Sequence, residues 1–362
     1  MPLSFRAIRP TPAVQYGGGD LLSISCSDFL AQARGNPTLA LVSLLLLAVL
    51  LVNGWTDAPN AIATAVASGA LSFRRAVLLA AGCNLAGVAA TSLCMPAVAQ
   101  TVCEAADFGG DPTIACTALC AALLAVVLWA TLAWRFGIPT SESHALLSGL
   151  AGAALSLPGG WKNLRPEAWG KVGLGLLLSV LLGFLLGRRA SGLLQRLPLS
   201  PRRCRSLQTA GAAAMAFLHG AQDGQKFLGV FLLGAALSQG RWTSGALSVP
   251  LWLMAVCALF MALGTLLGGR RIIDKIGREL VVLSPAAGLS ADLGGGCALL
   301  VCTLLGLPVS TTHTKTSAIL GAGTAHGGRA RPGTALSIAL TWLLTFPGCG
   351  ALGFFLARQL LA

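Results

Sequence analysis

The stretch that decides the fold reads "GLPVSTTHTKTSAILG" and spans residues 306–321. It follows an apolar run, "CALLVCTLLG" (297–306), that is typical of a membrane helix. The chain then breaks at Pro308 and presents hydroxyl side chains, His313 and Lys315 in close succession. In hydrocarbon, irregular polar backbone is tolerated only where it is buried in protein or lines a water-filled cavity. The stretch therefore predicts a polar site inside a membrane protein.

A second stretch, "GIPTSESHALLSGLAG" (137–152), repeats this pattern. The residues that match when the two prolines are aligned are Pro139 with Pro308, Ser141 with Ser310, Ser143 with Thr312, His144 with His313, Ser148 with Ser317, and Gly152 with Gly321. Because a feature that costs free energy occurs twice, the sequence predicts one site assembled from two halves of the chain.

The composition is that of a multi-pass protein of the cell membrane. Of the 362 residues, 55% are hydrophobic and only 10% are charged, whereas a soluble domain carries about 25% charged residues. The net charge of +13 does not indicate nucleic-acid binding, because the basic residues lie in short loops between apolar runs, as topology signals do. The 11 cysteines are scattered without CxxC motifs and are interpreted as small packing residues.

Residues 1–38 are polar and rich in Pro and Gly, and they do not resemble a cleavable signal peptide because no long apolar core precedes Leu39. A short surface helix is predicted near residues 21–33. The apolar segments lie near residues 39–70, 76–100, 114–134, 139–157, 168–187, 207–237, 246–268, 284–306, 308–325 and 333–360.

The first and sixth apolar segments are long for a single span. About 30 residues of helix cover roughly 45 Å, against a hydrocarbon core of about 30 Å. Both segments carry a polar interruption, "NGWTDAPN" (53–60) in the first and "HGAQDGQK" (219–226) in the sixth. The sequence therefore predicts two discontinuous or strongly tilted helices.

Loop charge predicts the orientation of the chain in the membrane. The loops 188–205 and 270–278 are the most basic and should be cytoplasmic, whereas the loop 101–113 carries acids without Lys or Arg and can lie outside. With each proline-tipped pair of segments taken as a re-entrant hairpin, both termini are external. If the hairpin arms crossed the membrane fully instead, the termini would lie on the same side.

The two halves then have the same order of elements in opposite orientations. The predicted fold is an all-α membrane protein with an inverted-topology repeat, two discontinuous helices and two re-entrant helical hairpins. Its parts are the polar segment 1–38, the first repeat 39–187, a basic cytoplasmic linker 188–206 and the second repeat 207–360. Such repeats place a substrate site near the membrane midplane, at the interface between the repeats.

The hairpin tips have the chemistry of an anion cradle. A proline near a helix start lacks an N–H that would have no partner anyway, and the Ser and Thr after it cap free N–H groups and add hydroxyl donors. The N-terminal end of the helix dipole favours an oxyanion such as phosphate or sulfate. A single tip is equally explained by a kinked helix. The residues predicted to bind the anion are Ser141, Glu142, Ser143, Ser310, Thr311, Thr312 and Gln225.

Asp57 and Asp223 are the acids in the middle of the two long segments. An ionisable residue inside the membrane indicates function, although Asp57 could also be a helix-breaking cap. Carboxylate, amide and hydroxyl oxygens suit a hard cation such as sodium, and a carboxylate can also carry a proton. The residues predicted to couple transport to a cation are Asp57, Asn60, Thr56, Asp223 and Gln222, with the two aspartates as the sodium ligands if the ion is sodium.

Other polar residues are predicted to support the site. Lys226 follows Asp223 by one helical turn, so it either pairs with that carboxylate or contacts the anion. His144, His219 and His313 either shuttle protons or donate hydrogen bonds in helix packing. The sequence shows no nucleophile triad, nucleotide-binding loop or metal cluster, and no cofactor is expected besides the coupling ion.

These motifs resemble those of the inorganic phosphate transporter (PiT) family, which also contains sulfate permeases. The resemblance rests on "GWTDAPNA" (54–61), "PTSESH" (139–144), "HGAQDGQK" (219–226) and "PVSTTH" (308–313), and it covers about residues 40–358. It implies cation-coupled uptake of phosphate, with the hydroxyl tips on the anion and the two aspartates on sodium or a proton. It also implies an inverted repeat and a homodimer.

The chain departs from the family pattern at four positions. Thr56 and Gln222 stand where the family has Asn, Glu142 where it has Thr, and Asn84 where it has Glu. Glu142 adds a negative charge at an anion site. These departures leave open whether sodium or a proton is the coupling ion.

The resulting hypothesis is a secondary transporter, not an enzyme, that imports inorganic phosphate with sodium or a proton by alternating access. One alternative is a sulfate permease of the same fold. A second is a membrane phosphotransferase or phosphatase, which would need clustered acids or metal ligands. A third is an anion sensor that binds without transport.

The orientation can be tested by labelling single cysteines, placed at 107 or 195 in a cysteine-free version, with an impermeant thiol reagent on intact cells. Because loop 101–113 is predicted outside and loop 188–206 inside, we expect labelling of Asp107→Cys and protection of Gln195→Cys until the cells are opened. Labelling at 195 without labelling at 107 would reverse the predicted orientation.

Overall fold

The computed structural model is helical and describes residues 25–94, 97–240, 249–281, 283–325, 328 and 330–362. Its α-helices are α1 Cys26–Gly35, α2 Pro37–Thr56, α3 Ala58–Ala67, α4 Phe73–Cys94, α5 Ala97–Glu104, α6 Pro112–Arg135, α7 Glu142–Leu155, α8 Pro166–Leu194, α9 Pro201–His219, α10 Gln225–Ser238, α11 Leu251–Asp274, α12 Pro285–Leu304, α13 Thr311–Ala325 and α14 Pro332–Leu360. Several begin with a proline directly after a polar cap, such as Asn36, Asp111 or Ser284, which satisfies N–H groups that a helix start leaves free.

Seven helical segments among the described residues are long and apolar enough to cross a membrane. They are Pro37–Ala67, Phe73–Ser92, Pro112–Arg135, Pro166–Leu194, Leu251–Gly277, Pro285–Leu304 and Pro332–Leu360. The predicted multi-pass membrane protein is thus confirmed.

Two segments predicted from the sequence have different bounds in the structure. The surface helix expected near residues 21–33 is α1, which packs its Phe29 ring against Phe231 and Trp252 at centroid distances of 4.8 and 5.5 Å; residues 1–24 lie outside the described part. The basic linker expected at 188–206 includes the end of α8 and the start of α9, so only residues 195–200 lie outside α-helices.

The two polar interruptions differ in structure. The first is a break at Asp57 between α2 and α3. Pro59, two residues later, lacks the N–H that a continuous helix would need. The second is a π-helical turn, Gly220–Gly224, that joins α9 to α10 without a break. The expectation of a discontinuous second helix is therefore corrected to a π-bulge, because that segment contains no proline and can widen its turn instead.

The proline-tipped segments form two helical pairs, α6 with α7 and α12 with α13. The second members, α7 with 14 residues and α13 with 15 residues, cover only about 21 and 22 Å at 1.5 Å per residue. This is shorter than a hydrocarbon core of about 30 Å. The residues at their tips, 140–144 and 310–314, are buried inside the protein.

The two halves of the chain are interlocked. Helix α8, from the first half, packs along α12 and α13, whereas α14, from the second half, packs along α6 and α7. Helix α2 packs along α11. Each proline-tipped pair is therefore held by the last helix of the other half.

Small residues allow the closest of these contacts, as is usual in lipid, where helices associate through close packing. Gly54 in α2 faces Gly264 in α11 so closely that a Cβ at Gly54 would lie 2.2 Å from the Met261 carbonyl oxygen and 2.7 Å from the Gly264 Cα. Both obstacles are backbone atoms, which a side-chain rotation cannot move.

Gly54→Ala should therefore destabilise the protein, by about 1–3 kcal/mol as for other overpacked interiors. The measurement is the melting temperature of the purified protein in detergent. Gly82→Ala in α4 is the matched control, because a methyl group there meets nothing within 4 Å. Equal melting temperatures for the two variants would show that α2 and α11 are not packed through these glycines.

Candidate anion and cation site

Two helix tips, residues 140–144 before and in α7 and residues 310–314 before and in α13, meet in the buried interior. Ser141 Oγ accepts a hydrogen bond from the His144 N–H (3.3 Å), and Ser310 Oγ accepts one from the His313 N–H (3.1 Å). Each serine thus caps its helix as the sequence pattern predicts, and its own O–H remains a donor. The positive ends of two helix dipoles converge at this point.

Asp57 lies at the break between α2 and α3 and reaches both tips. One carboxylate oxygen accepts from the Glu142 N–H (3.1 Å), and the other accepts a hydrogen bond from the Thr312 hydroxyl. Asn60, one turn along α3, donates to Thr312 Oγ1 at 2.7 Å. All of these side chains are buried.

Asp223, in the π-helical turn, also reaches both tips. It accepts hydrogen bonds from Thr311 Oγ1 (3.2 Å) and Ser143 Oγ (3.4 Å). Asn53 Nδ2 in α2 donates to the same carboxylate at 3.4 Å and so joins the two halves. The widened turn directs this carboxylate toward the tips, as π-bulges often do at functional sites.

Lys226 pairs with Asp223, at 2.7 Å between Nζ and Oδ1. The ammonium also donates to Ser143 Oγ and to the Val309 carbonyl oxygen, both at 2.6 Å. Of the two roles the sequence left open for Lys226, the structure shows the pairing with Asp223. His219 Nε2 lies 3.1 Å from the other Asp223 oxygen.

Glu142 begins α7 beside Asp57. Its Oε1 accepts from the Thr56 hydroxyl at 3.1 Å, and its Oε2 has no hydrogen-bond partner in the described part of the chain. Asn53 Oδ1 and Asn60 Oδ1 likewise lack a donor there. Buried polar atoms are rarely left unpaired, and these oxygens are free to accept a further hydrogen bond or to contact a cation. Carboxylate, amide and hydroxyl oxygens fit sodium.

The histidines of the two tips stack on each other. The rings of His144 and His313 lie 4.4 Å apart edge to face, and His313 also packs on Trp342 at 3.7 Å. Neither nitrogen of His313 has a hydrogen-bond partner among the described residues. Of the two roles predicted for these histidines, packing fits the structure, although aromatic contact replaces the expected hydrogen bonds.

Three predicted residues point away from the tips. Gln222 donates to Thr303 Oγ1 at 2.9 Å. Gln225 accepts from the Val98 N–H at 3.2 Å. Asn84 Oδ1 lies 3.2 Å from His219 Nδ1 and so reaches Asp223 only through that ring.

Four buried polar residues were not predicted from the sequence: Asn53, which contacts the site, and Lys315, Asp292 and Thr64, which contact one another. Asn53 bridges to Asp223, as described above. Lys315, in α13, forms a buried ion pair with Asp292 of α12, and Thr64 Oγ1 donates to Asp292 at 2.7 Å. An acid in the apolar segment 284–306 and a lysine in the stretch 306–321 were the signals available for this pair.

An apolar cavity of about 680 Å³ lies between α7 and α14, lined by aromatic and aliphatic side chains that include Trp161, Trp169 and Phe346. A phosphate-sized anion needs convergent polar groups. The tips supply these groups, and the cavity does not.

Comparison with known proteins finds matches over most of this chain. A family model described as "Phosphate transporter family" matches residues 53–203 and 200–353. A "Probable low-affinity inorganic phosphate transporter" of Bacillus subtilis is 34% identical over 321 residues, which cover 85% of this chain and 94% of that protein. A protein of the same name from Rhizobium meliloti is 36% identical and covers 84% of this chain and 92% of its own length.

One solved structure, "The sodium-dependent phosphate transporter", shares the fold. Its TM-score is 0.79, and the alignment covers 90% of this chain and 99% of the other at 20% sequence identity.

Proposed function

Because the chain belongs to the phosphate transporter family, we propose that it imports inorganic phosphate together with a cation by alternating access. Membership of this family makes the protein a transporter rather than an enzyme. The observation that carries the proposal is the convergence of hydroxyls from both tips on two buried carboxylates, Asp57 and Asp223.

The proposed phosphate site lies between the tips. Ser143, Thr311 and Thr312 now donate their hydroxyl protons to the aspartates, and the O–H groups of Ser141 and Ser310 are within the same cluster. A hydroxyl can rotate to a new acceptor without moving the backbone. Phosphate entering between the tips would receive these donors, and a cation at Asp57 would replace the donor lost there.

Paired contacts support the proposed inverted repeat with re-entrant hairpins. Asp57 contacts Thr312 of the second tip, and Asp223 contacts Ser143 of the first, which is the residue that matches Thr312 in sequence. Each acid thus contacts the tip of the other half as well as the tip of its own half. Such a site lies at the repeat interface, where alternating access requires one half to move against the other.

The coupling ion binds at Asp57 in this proposal. Asp57, Asn60 and Glu142 would hold sodium, and Asp57 with Glu142 would hold a proton. Phosphate dehydrated in the protein interior needs charge compensation, because hydroxyls and helix dipoles supply only partial charge. The proton alternative has support from Glu142, whose Oε2 lacks a partner among the described residues and whose ionised form would compete with phosphate for the same N–H groups.

The homodimer implied by the family resemblance stays a prediction, and so does the external position of both termini.

The test of the proposed function is uptake of labelled phosphate into proteoliposomes under separate sodium and proton gradients. We expect uptake that one of the two gradients accelerates and that excess phosphate suppresses more strongly than excess sulfate. Stronger suppression by sulfate would identify sulfate as the transported anion. Binding without uptake would identify a sensor.

The Ser310→Ala/Thr312→Ala variant should bind phosphate more weakly. Each substitution removes a hydroxyl donor to a buried charge, which costs about 1.5–3 kcal/mol per hydrogen bond, or roughly a tenfold to hundredfold loss of affinity. The measurement is the phosphate concentration for half-maximal uptake. The control is Ser317→Ala, which removes a hydroxyl from the same helix, three residues beyond the end of the tip at Thr314. Unchanged affinity in the double variant would remove the second tip from the anion site.

Replacing Glu142 by Thr should flatten the dependence of uptake on pH. Protonation of Glu142 removes the charge that opposes phosphate, so uptake by the parent protein falls as pH rises, and the variant should gain about tenfold in affinity, or about 1.4 kcal/mol, on the alkaline side. The measurement is uptake at several pH values with the concentration of phosphate dianion held constant. Glu142→Gln, which keeps the size and removes the charge, should behave likewise. An unchanged pH profile in both variants would favour coupling through Asp57 without Glu142.

A further inference from the structure

Asn60 and Lys226 occupy matching places in the two halves of the site. Each lies three residues after an aspartate, Asp57 or Asp223. Asn60 Nδ2 contacts Thr312 Oγ1 at 2.7 Å, and Lys226 Nζ contacts Ser143 Oγ, the matching tip hydroxyl, at 2.6 Å. One half therefore has an amide where the other has an ammonium.

The ammonium of Lys226 sits in a complete oxygen cage. Its three N–H groups meet a carboxylate oxygen of Asp223 at 2.7 Å, the Ser143 hydroxyl at 2.6 Å and the Val309 carbonyl oxygen at 2.6 Å. The side chain is fully buried. Carboxylate, hydroxyl and carbonyl oxygens are also the ligands that bind a sodium ion. The place that a mobile cation would need at Asp223 is filled by the lysine.

The other half has no such fixed charge. Within the described part of the chain, Asp57 forms no ion pair, and the amide oxygen of Asn60 and one oxygen of Glu142 have no hydrogen-bond partner. Asp223 has both Lys226 and His219 beside it. The two acids therefore occupy matching positions, but Asp223 forms an ion pair and Asp57 forms none within the described residues.

We infer that the Lys226 ammonium is a tethered cation that replaces a mobile ion at Asp223, so that only the Asp57 half of the site binds the coupling ion. This inference rests on the proposed function. It replaces the prediction from the sequence that both aspartates bind the coupling cation. The oxygens at Asp57 fit a sodium ion, and those at Asp223 do not, because the ammonium already occupies them.

The test is to turn the second half into a copy of the first. Lys226→Asn removes the ammonium and supplies the amide that Asn60 supplies in the other half. A buried carboxylate that loses its partner is strongly destabilised, so this variant should acquire a sodium ion at Asp223. Two quantities are measured for the purified protein in sodium chloride and in an equal concentration of choline chloride: the melting temperature and the phosphate affinity.

We expect sodium to raise the phosphate affinity of Lys226→Asn about tenfold more than that of the parent, within the five- to 150-fold range usual for two coupled ligands. Sodium should also raise its melting temperature more than that of the parent, because an ion that binds the folded state stabilises it. Lys226→Met is the matched control. It loses the same charge without gaining an oxygen, and its extra response to sodium should be much smaller.

Two results would overturn the inference. One is a Lys226→Asn protein whose response to sodium equals that of the parent in both measurements. The other is a Lys226→Asn protein that fails to fold at every sodium concentration while Asp223→Asn/Lys226→Asn folds normally, since sodium would then be unable to replace the ammonium. A parent protein that neither binds nor transports phosphate would contradict the proposed function instead. The melting-temperature measurement still tests the lysine in that case.

Discussion

A carboxylate in the interior of a membrane protein must be given hydrogen-bond donors or a positive charge, because burial of an unpaired charge costs several kcal/mol. Asp57 and Asp223 each obtain donors from the tips of both halves of the chain. The break at Asp57, the π-helical turn around Asp223 and the proline before each tip all serve these contacts. The arrangement of helices around the site follows from them.

The two acids satisfy this requirement in different ways. Asp223 has a fixed cation, Lys226, whereas Asp57 forms no ion pair in the described part of the chain. A symmetric framework therefore carries an asymmetric distribution of charge. The buried pair of Asp292 and Lys315 adds to this asymmetry, because Leu146 stands at the position in α7 that matches Lys315.

The sequence predicted much of this structure. The tips were recognisable because proline followed by hydroxyl residues is unusual inside apolar segments, and the two acids because ionisable residues there are rare. The π-bulge was not predicted, because no residue in "HGAQDGQK" indicates whether the helix bulges or breaks there. Gln222 and Gln225 were assigned to the site by their neighbours in sequence, but widening of the turn directs their side chains elsewhere. The pair of Asp292 and Lys315 joins two helices, and sequence periodicity does not show which faces meet.

The interlocking of the halves has a consequence for how the protein is made. Helices α6 and α7 leave the ribosome early, but α14, on which they pack, follows only after all the other helices. Gly152 in α7 lies so close to α14 that a Cβ there would be 1.9 Å from the Gly350 carbonyl oxygen, so little else can occupy that contact. Helix α7, which carries the first tip, therefore lacks its contacts with α14 until α14 has been made. Membrane insertion can proceed helix by helix, but completion of the site is a single late event.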